Sequence, residues 1–298
     1  MNHDFSPAAI AQAYSALTQW YAQHARDLPW RKNDVTPWGV LVCEVMSQQT
    51  PVARVTPVWL AWMHRWPTPA ALASASVAEI LIAWDRLGYP RRALRLHECA
   101  QVLSTEYGGE LPDERARLLA LPGIGPYTAD ALLAFAFHQR SVVLDTNIRR
   151  VLARWHGQAL PAAHLTAAER ERAAQFVPSY GQQAAQWNQA IMEFGALICT
   201  ATSPQCGGCP IAELCGWKLD GYPLGASAPA PARQKFAGTQ REARGKIMAV
   251  LRAHPDTALA RCELLSASGL TDERFTPALR TLLNDGLARE LDNGIALP

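Results

Sequence analysis

The chain has no stretch approaching eighteen consecutive apolar residues, so no membrane-spanning helix is expected. Met1 to Ala16 carries no basic start followed by an apolar run, and a secretory leader is therefore not expected. Strand signals are almost absent before residue 220, which argues against a β-rich main body. Charge of one sign is also missing. A formal net charge of +2 over 298 residues gives no overall basic field, so any nucleic-acid surface must be built locally. The seven cysteines do not suit a disulfide framework: the number is odd, four cluster, and Cys43, Cys99 and Cys262 are scattered. That pattern fits a reducing, cytoplasmic setting with one metal site. With 49% hydrophobic and 18% charged residues, the composition is that of a globular chain long enough for two or three domains.

The cluster itself is Cys199, six residues, Cys206, two residues, Cys209, five residues and Cys215. Four separate thiols would stabilise so short a loop poorly, and the intervening Pro, Gly and Ser residues preclude a single helix. The loop should wrap a soft metal partner, either an iron–sulfur cluster or a structural zinc. The spacing differs from the ferredoxin-type runs with two- and three-residue gaps, which weakens an electron-carrier reading.

Nearly every periodic segment reads as helix, and the main body is all-α. Amphipathic or apolar helices are expected at Pro7–His24, Trp38–Met46, Val52–Arg65, Val77–Trp84, Arg91–Glu106, Glu114–Ala120, Thr146–Trp155 and Trp187–Leu197, with Pro67, Pro69, Pro90 and Pro112 as punctuation. Ser141–Leu144 is a short β-branched stretch. APAPARQ marks a Pro/Ala linker, placed at 223–239. Beyond it, helices at Arg241–Ala253, Arg261–Ala267 and Asp272–Asp285 (N-capped by Thr271) precede a hairpin around Asp292-Asn293-Gly294. Three helices and a hairpin describe a winged-helix-like domain over 240–298, a unit that binds DNA or merely packs.

Three constellations carry chemistry. Gly123-Ile124-Gly125 within Leu121–Gly125 forms a tight turn between helices. Free N–H groups at the next helix start suit a phosphate, as in a helix-hairpin-helix grip on DNA; an ordinary connector is the alternative. Glu44 sits in the buried-looking helix WGVLVCEVM, where burial raises a carboxyl pKa and lets it donate a proton near neutral pH; an Arg-paired helix-end Glu is the alternative. Gln48, Gln49 and Thr50 follow as a polar cluster able to hydrogen-bond base edges. Asp145, placed to N-cap the helix TNIRRVLAR, should have its pKa lowered by the helix dipole. One protonated and one ionised acid are what glycosidic bond cleavage requires.

In order and spacing, LPWR (Leu28–Arg31), EVMSQQT (Glu44–Thr50), RLGYPRRA (Arg86–Ala93), LPGIGPYTADAL (Leu121–Leu132), LDTNIRRVLAR (Leu144–Arg154) and the four-cysteine loop resemble the MutY-type A/G-specific adenine DNA glycosylases of the helix-hairpin-helix superfamily. The resemblance implies two helical domains, a cluster domain over 1–28 and 138–222 and a six-helix barrel over 29–137. It implies a 4Fe-4S cluster on Cys199, Cys206, Cys209 and Cys215. It makes Glu44 the acid that protonates a flipped adenine, Asp145 the carboxylate that stabilises the sugar cation, and Tyr127 and Asn147 their active-site companions. Gln48, Gln49 and Thr50 would probe the opposite base, and Tyr89 would wedge into the duplex. Leu121, Gly123 and Gly125 would hold a phosphate, with Arg149 and Arg150 candidates for others. The implied partner is double-stranded DNA bearing A:8-oxoguanine or A:G, bound by a monomer. Tyr127 stands where related strand-cutting enzymes carry a lysine, and a tyrosine forms no Schiff base, so a monofunctional glycosylase is expected. The alternatives are a thymine mismatch glycosylase of the same superfamily, to which the QQT block is less similar, and a non-catalytic DNA-binding protein, against which both acids speak. Two departures stand out. Pro90 replaces a usual second tyrosine, and the tail is far too short for the Nudix-like domain that reads 8-oxoguanine.

Overall fold

The computed structural model describes residues 5–223 and 236–298. Most of the linker expected at 223–239 lies outside the described residues. The rest is almost wholly helical. The helices are α1 (Pro7–His24), α2 (Pro37–Ser47), α3 (Val52–Arg65), α4 (Pro69–Ala73), α5 (Val77–Trp84), α6 (Arg91–Glu106), α7 (Arg115–Ala120), α8 (Pro126–Phe135), α9 (Thr146–Trp155), α10 (Ala167–Ala174), α11 (Gly181–Leu197) and α12 (Gly216–Leu219). A C-terminal set follows: α13 (Gln240–Ala253), α14 (Arg261–Ser268), α15 (Asp272–Asn284) and the hairpin β1 (Arg289–Leu291) and β2 (Gly294–Ala296). Their starts follow local chemistry. Ser6, Thr68, Ser76, Thr166 and Thr239 each accept a backbone N–H two or three residues on, and Pro stands at the first helical position of α1, α4 and α8. Thr271 occupies the N-cap position of α15 without a side-chain capping bond. Val142–Leu144 forms no strand; Asn188 Nδ2 donates to Ser141 O (2.9 Å) and ties this extended segment to α11.

The described residues group into two compact units. One comprises 5–40, 113–120 and 124–223; the other comprises 41–112, 121–123 and 236–298. The core of the first gathers Leu17, Ile148, Val151, Trp155, Trp187, Ile191 and Phe194 from α1, α9 and α11. At its edge Glu193, wholly buried, accepts from Arg26 Nε (2.7 Å), Arg26 Nη2 (2.7 Å) and Arg31 Nη2 (2.8 Å), which gives the LPWR arginine its partner. Burial alone would raise the Glu193 pKa, but the hydrogen bonds from Arg26 and Arg31 win and hold it at about 2. A carboxyl depressed in the folded state stabilises the fold above its unfolded value, near 4.5, and that support is lost as pH falls toward 2. Glu193→Gln is expected to cost about 3 kcal/mol at pH 7, by stranding two guanidinia, and to flatten the acid limb of a stability-versus-pH curve. Urea unfolding between pH 2 and pH 7 measures both, and an unchanged acid limb would contradict the assignment.

In the second unit Trp59, Trp62, Trp66 and Trp84 are buried, with Trp62 edge-on to both Trp66 (4.9 Å) and Trp84 (5.5 Å). The C-terminal set is part of this unit. Ile247, Leu251, Phe275, Leu279, Leu282, Leu287 and Ile295 form one core with Leu81 of α5, flanked by Val77, Ile82 and Leu94. The hairpin pairs Arg289 with Ala296, and Ile295 also exchanges backbone hydrogen bonds with Leu259 (2.8 and 2.9 Å), adding a third short edge as a winged helix requires. Gly294, at φ +146, lies so close to Leu259 O that any Cβ would clash.

Candidate active site and cluster cavity

Glu44 lies in the last turns of α2, half-buried between buried Cys43 and Val45. The chain leaves α2 through Gln48 and Gln49, the latter in the left-handed region at φ +54. Gln48 is half-buried and Gln49 exposed. Thr50 departs from the expected exposed cluster: it is buried, and its Oγ1 donates toward Leu87 O (3.3 Å) and accepts from Arg92 Nη2 (3.1 Å). Arg92 is the organising group here. Its Nη1 donates to Val45 O (2.8 Å), Met46 O (3.2 Å) and Gln48 O (2.6 Å), and its Nη2 to Leu87 O (3.3 Å) and Gly88 O (3.0 Å). One guanidinium thus caps the C-terminal carbonyls of α2 and pins them to the turn that presents Tyr89. Burial lowers its pKa to about 10. The second Arg of YPRRA was legible only as a charge at a helix start; nothing in the spacing said that it turns inward.

Tyr89 is 45% exposed and left-handed at φ +47. Leu121 is buried, and Gly123 takes φ +79 where an added Cβ would stand 2.9 Å from Arg95 Cβ, so both sterics and conformation call for glycine. Gly125 serves differently: it is the extended N-cap of α8, at φ −95, ahead of Pro126.

Tyr127, in the first turn of α8, is half-buried against the core of the first unit. In the same unit Asp145 N-caps α9, accepting from Ile148 N (2.6 Å) at Oδ1 and from Asn147 Nδ2 (2.8 Å) at Oδ2. The capping is as expected, but the direction of its pKa is not. Burial of the carboxyl is the largest influence and raises its pKa, outweighing the Ile148 and Asn147 hydrogen bonds and nearby Arg150. The site therefore holds this acid short of water and costly to ionise.

Arg149 and Arg150, expected on phosphate, are both engaged inside the protein. Arg149 pairs with Glu169 (2.6 and 2.8 Å) and donates to Ala162 O (2.8 Å). Arg150 is buried and donates to Asn147 Oδ1 (2.8 Å), Gly195 O (2.6 Å) and Cys199 O (2.8 Å). Arg150 lies on the inner face of α9: Asn147, Arg150 and Arg154 share the side that carries buried Val151 and Trp155. Gly195 makes this possible, since a Cβ there would stand 2.9 Å from Asn147 Cβ. A relay results, from the Cys199 carbonyl through Arg150 and Asn147 to the Asp145 carboxylate.

The four cysteines line one cavity with Val151, Phe194, Ile198, Ile211 and Trp217. Buried Arg154 donates to Cys199 Sγ (3.2 Å) and Thr200 O (2.7 Å), and its guanidinium lies 4.6 Å from the centre of the Trp217 ring. Burial pushes the Cys209 thiol up to about 12 and raises Cys215 as well, so soft metal is what would make thiolates of them. Four sulfurs, apolar walls and one cation on a sulfur fit an iron–sulfur cluster. Among the described residues no three His, Cys, Asp or Glu groups close on a single-ion site.

Comparison with known proteins bears on each part. The profile of the HhH-GPD superfamily base excision DNA repair proteins matches residues 42–175, and that of the iron–sulfur binding domain of endonuclease III matches 199–215. The adenine DNA glycosylase of Mycobacterium tuberculosis (strain H37Rv) is 45% identical over 285 residues, 95% of this chain and 92% of that protein. The Mycolicibacterium smegmatis adenine DNA glycosylase is 45% identical over 283 residues, 93% of each. The human one is 40% identical over 223 residues, 72% of this chain and 41% of the human protein. Among solved structures, a thermostable thymine-DNA glycosylase superposes with a TM-score of 0.66 at 27% identity, covering 73% of this chain and 100% of its own. Endonuclease III in a non-covalent DNA complex gives 0.61 at 24% identity, covering 73% of this chain and 99% of its own, a likeness of fold.

Proposed function

The chain belongs to the adenine DNA glycosylase family of the HhH-GPD superfamily, a DNA glycosylase of base excision repair with a 4Fe-4S cluster, and from that premise we propose that it removes adenine mispaired with 8-oxoguanine or guanine. The observation that carries the choice of base is the 45% identity with adenine-specific relatives along 95% of the chain, the C-terminal set included. The QQT exit from α2 agrees with it. A monomer acts on duplex DNA.

Glu44 delivers a proton to the base, at N7 of a flipped adenine, so that the base leaves neutral. The C1′–N9 bond breaks, and its electron pair departs with adenine. Asp145, short of water, steadies the positive sugar; water then adds at C1′ and gives its proton to the Glu44 carboxylate left by the first step, leaving an abasic site. Asn147 and Arg150 hold the Asp145 carboxylate in one orientation. Tyr127 offers no amine, so the strand stays intact. Cys199, Cys206, Cys209 and Cys215 would hold the 4Fe-4S cluster, whose contribution when bound is to fix the 199–215 loop as a structural and DNA-docking element.

Single-turnover incubation with duplexes bearing A:8-oxoguanine, A:G and T:G tests the reading. Free adenine from the first two is expected, with strand breaks appearing only after alkali. Thymine release from T:G without adenine release from the others would replace this reading with the thymine one. No base from any duplex would leave a non-catalytic binder.

A further inference from the structure

Tyr89 is braced from the C-terminal set. A left-handed φ is strained for a bulky residue and persists only where surroundings impose it. The backbone is held by Gly88 O, which accepts from Trp84 Nε1 (2.9 Å) and Arg92 Nη2 (3.0 Å). Neither bond fixes the ring. The ring is met by Arg241 in the first turn of α13, whose Nη1 donates to the Tyr89 hydroxyl (3.0 Å) with the guanidinium 5.9 Å from the ring centre. Arg241 also lies 5.2 Å from the ring of Phe236, itself 52% exposed. The other side of the turn is tied to the same set: Asp285 at the end of α15 pairs with Arg244 of α13 (2.7 Å) and Arg91 of α6 (3.4 Å). Beneath these contacts, Leu81 is part of the C-terminal core. The residue beside Tyr89 is Pro90, which brings no second aromatic hydroxyl.

We propose that Arg241 is a positioning residue for specificity: it locks the Tyr89 ring in the orientation that enters the duplex, so that preference for the mispaired site depends on the C-terminal set. The proposal rests on the reading of Tyr89 as the duplex wedge. The Arg92 guanidinium lies 5.7 Å from the centre of the same ring and steadies its face, while the hydrogen bond from Arg241 fixes where the hydroxyl end points.

Full-length Arg241→Ala, Tyr89→Phe, their double variant and Tyr89→Ala are compared for single-turnover adenine release from A:8-oxoguanine and from A:T, and for fluorescence of 2-aminopurine placed beside the mispair. Arg241→Ala and Tyr89→Phe are each expected to lose preference for the mispair by roughly three- to tenfold, the worth of one hydrogen bond, and to dim the unstacking signal. The double variant should lose no more than either single change. Additive losses, full retention by Tyr89→Phe, or a uniform fall in affinity across all duplexes including an undamaged one overturns the proposal, the last because it marks a phosphate contact. Should Arg241→Ala fail to fold, Tyr89→Phe decides. Full retention by Tyr89→Ala instead removes the wedge reading itself, and a wild type that releases no adenine removes the function on which both rest.

Discussion

Glu44→Gln is expected to slow adenine release from an A:8-oxoguanine duplex by roughly 10²- to 10⁴-fold, the usual worth of a positioned general acid. The substitution keeps size and hydrogen-bonding capacity and removes only the transferable proton. Adenine is a poor leaving group as an anion and a good one once protonated, so the loss falls on bond cleavage. Glu44 suits this role by position: it sits half-buried on the last turns of a helix whose closing carbonyls are fastened by Arg92. Quenched single-turnover rates, with gel-shift titration to show that the duplex is still bound, separate chemistry from binding. A rate within threefold of wild type would mean that another group protonates the base, and the mechanism would have to be rebuilt around it.

Asp145→Asn makes a different and sharper pair of expectations. Asparagine caps a helix as well as aspartate does, so the bond to Ile148 N and the start of α9 survive. What disappears is a dehydrated negative charge. Base release should fall by roughly 10²- to 10³-fold, the scale of losing one preorganised electrostatic partner of the transition state. Stability should move the other way. A carboxyl whose pKa is raised in the folded state supports the fold fully below its unfolded value, near 3.8, and that support is lost as pH rises through the folded value. Wild type therefore carries at pH 7 a cost that the Asn variant lacks. Thermal unfolding at pH 4 and pH 7 reads it: the variant should match wild type at the lower pH and equal or exceed it at the higher. An active variant, or one that unfolds early at pH 7, would show that Asp145 is a cap and little more.

The helices were legible because their signals are local. Period, caps and prolines placed α1, α3, α5, α6, α9 and the C-terminal three within a residue or two, since each boundary is decided by groups within one turn. Helices α4 and α12 escaped notice because five and four residues show no period, and α10 because its Ala, Glu and Arg run carries no large apolar residue to mark a face. Partners were not legible. Spacing says which face of a helix a residue occupies, never what lies opposite. Arg150 was expected on a DNA phosphate because arginine suits one, yet the carbonyls of Gly195 and Cys199 arrive from more than forty positions away. Arg31 finds Glu193 across a separation of 162 residues. Thr50 turned inward for a similar reason: a buried guanidinium waited for its hydroxyl. The Asp145 pKa was misjudged in sign because the cap is visible in the sequence and the desolvation is not.

On the proposed mechanism, the chain of donors that runs from the Cys199 carbonyl through Arg150 and Asn147 to Asp145 would tie metallation to catalysis. A protein deprived of iron would do more than loosen a docking loop. With Cys199 displaced, the guanidinium loses one anchor, the amide it steers can swivel, and the carboxylate drifts from its setting. Iron supply would then govern turnover even though no electron is exchanged.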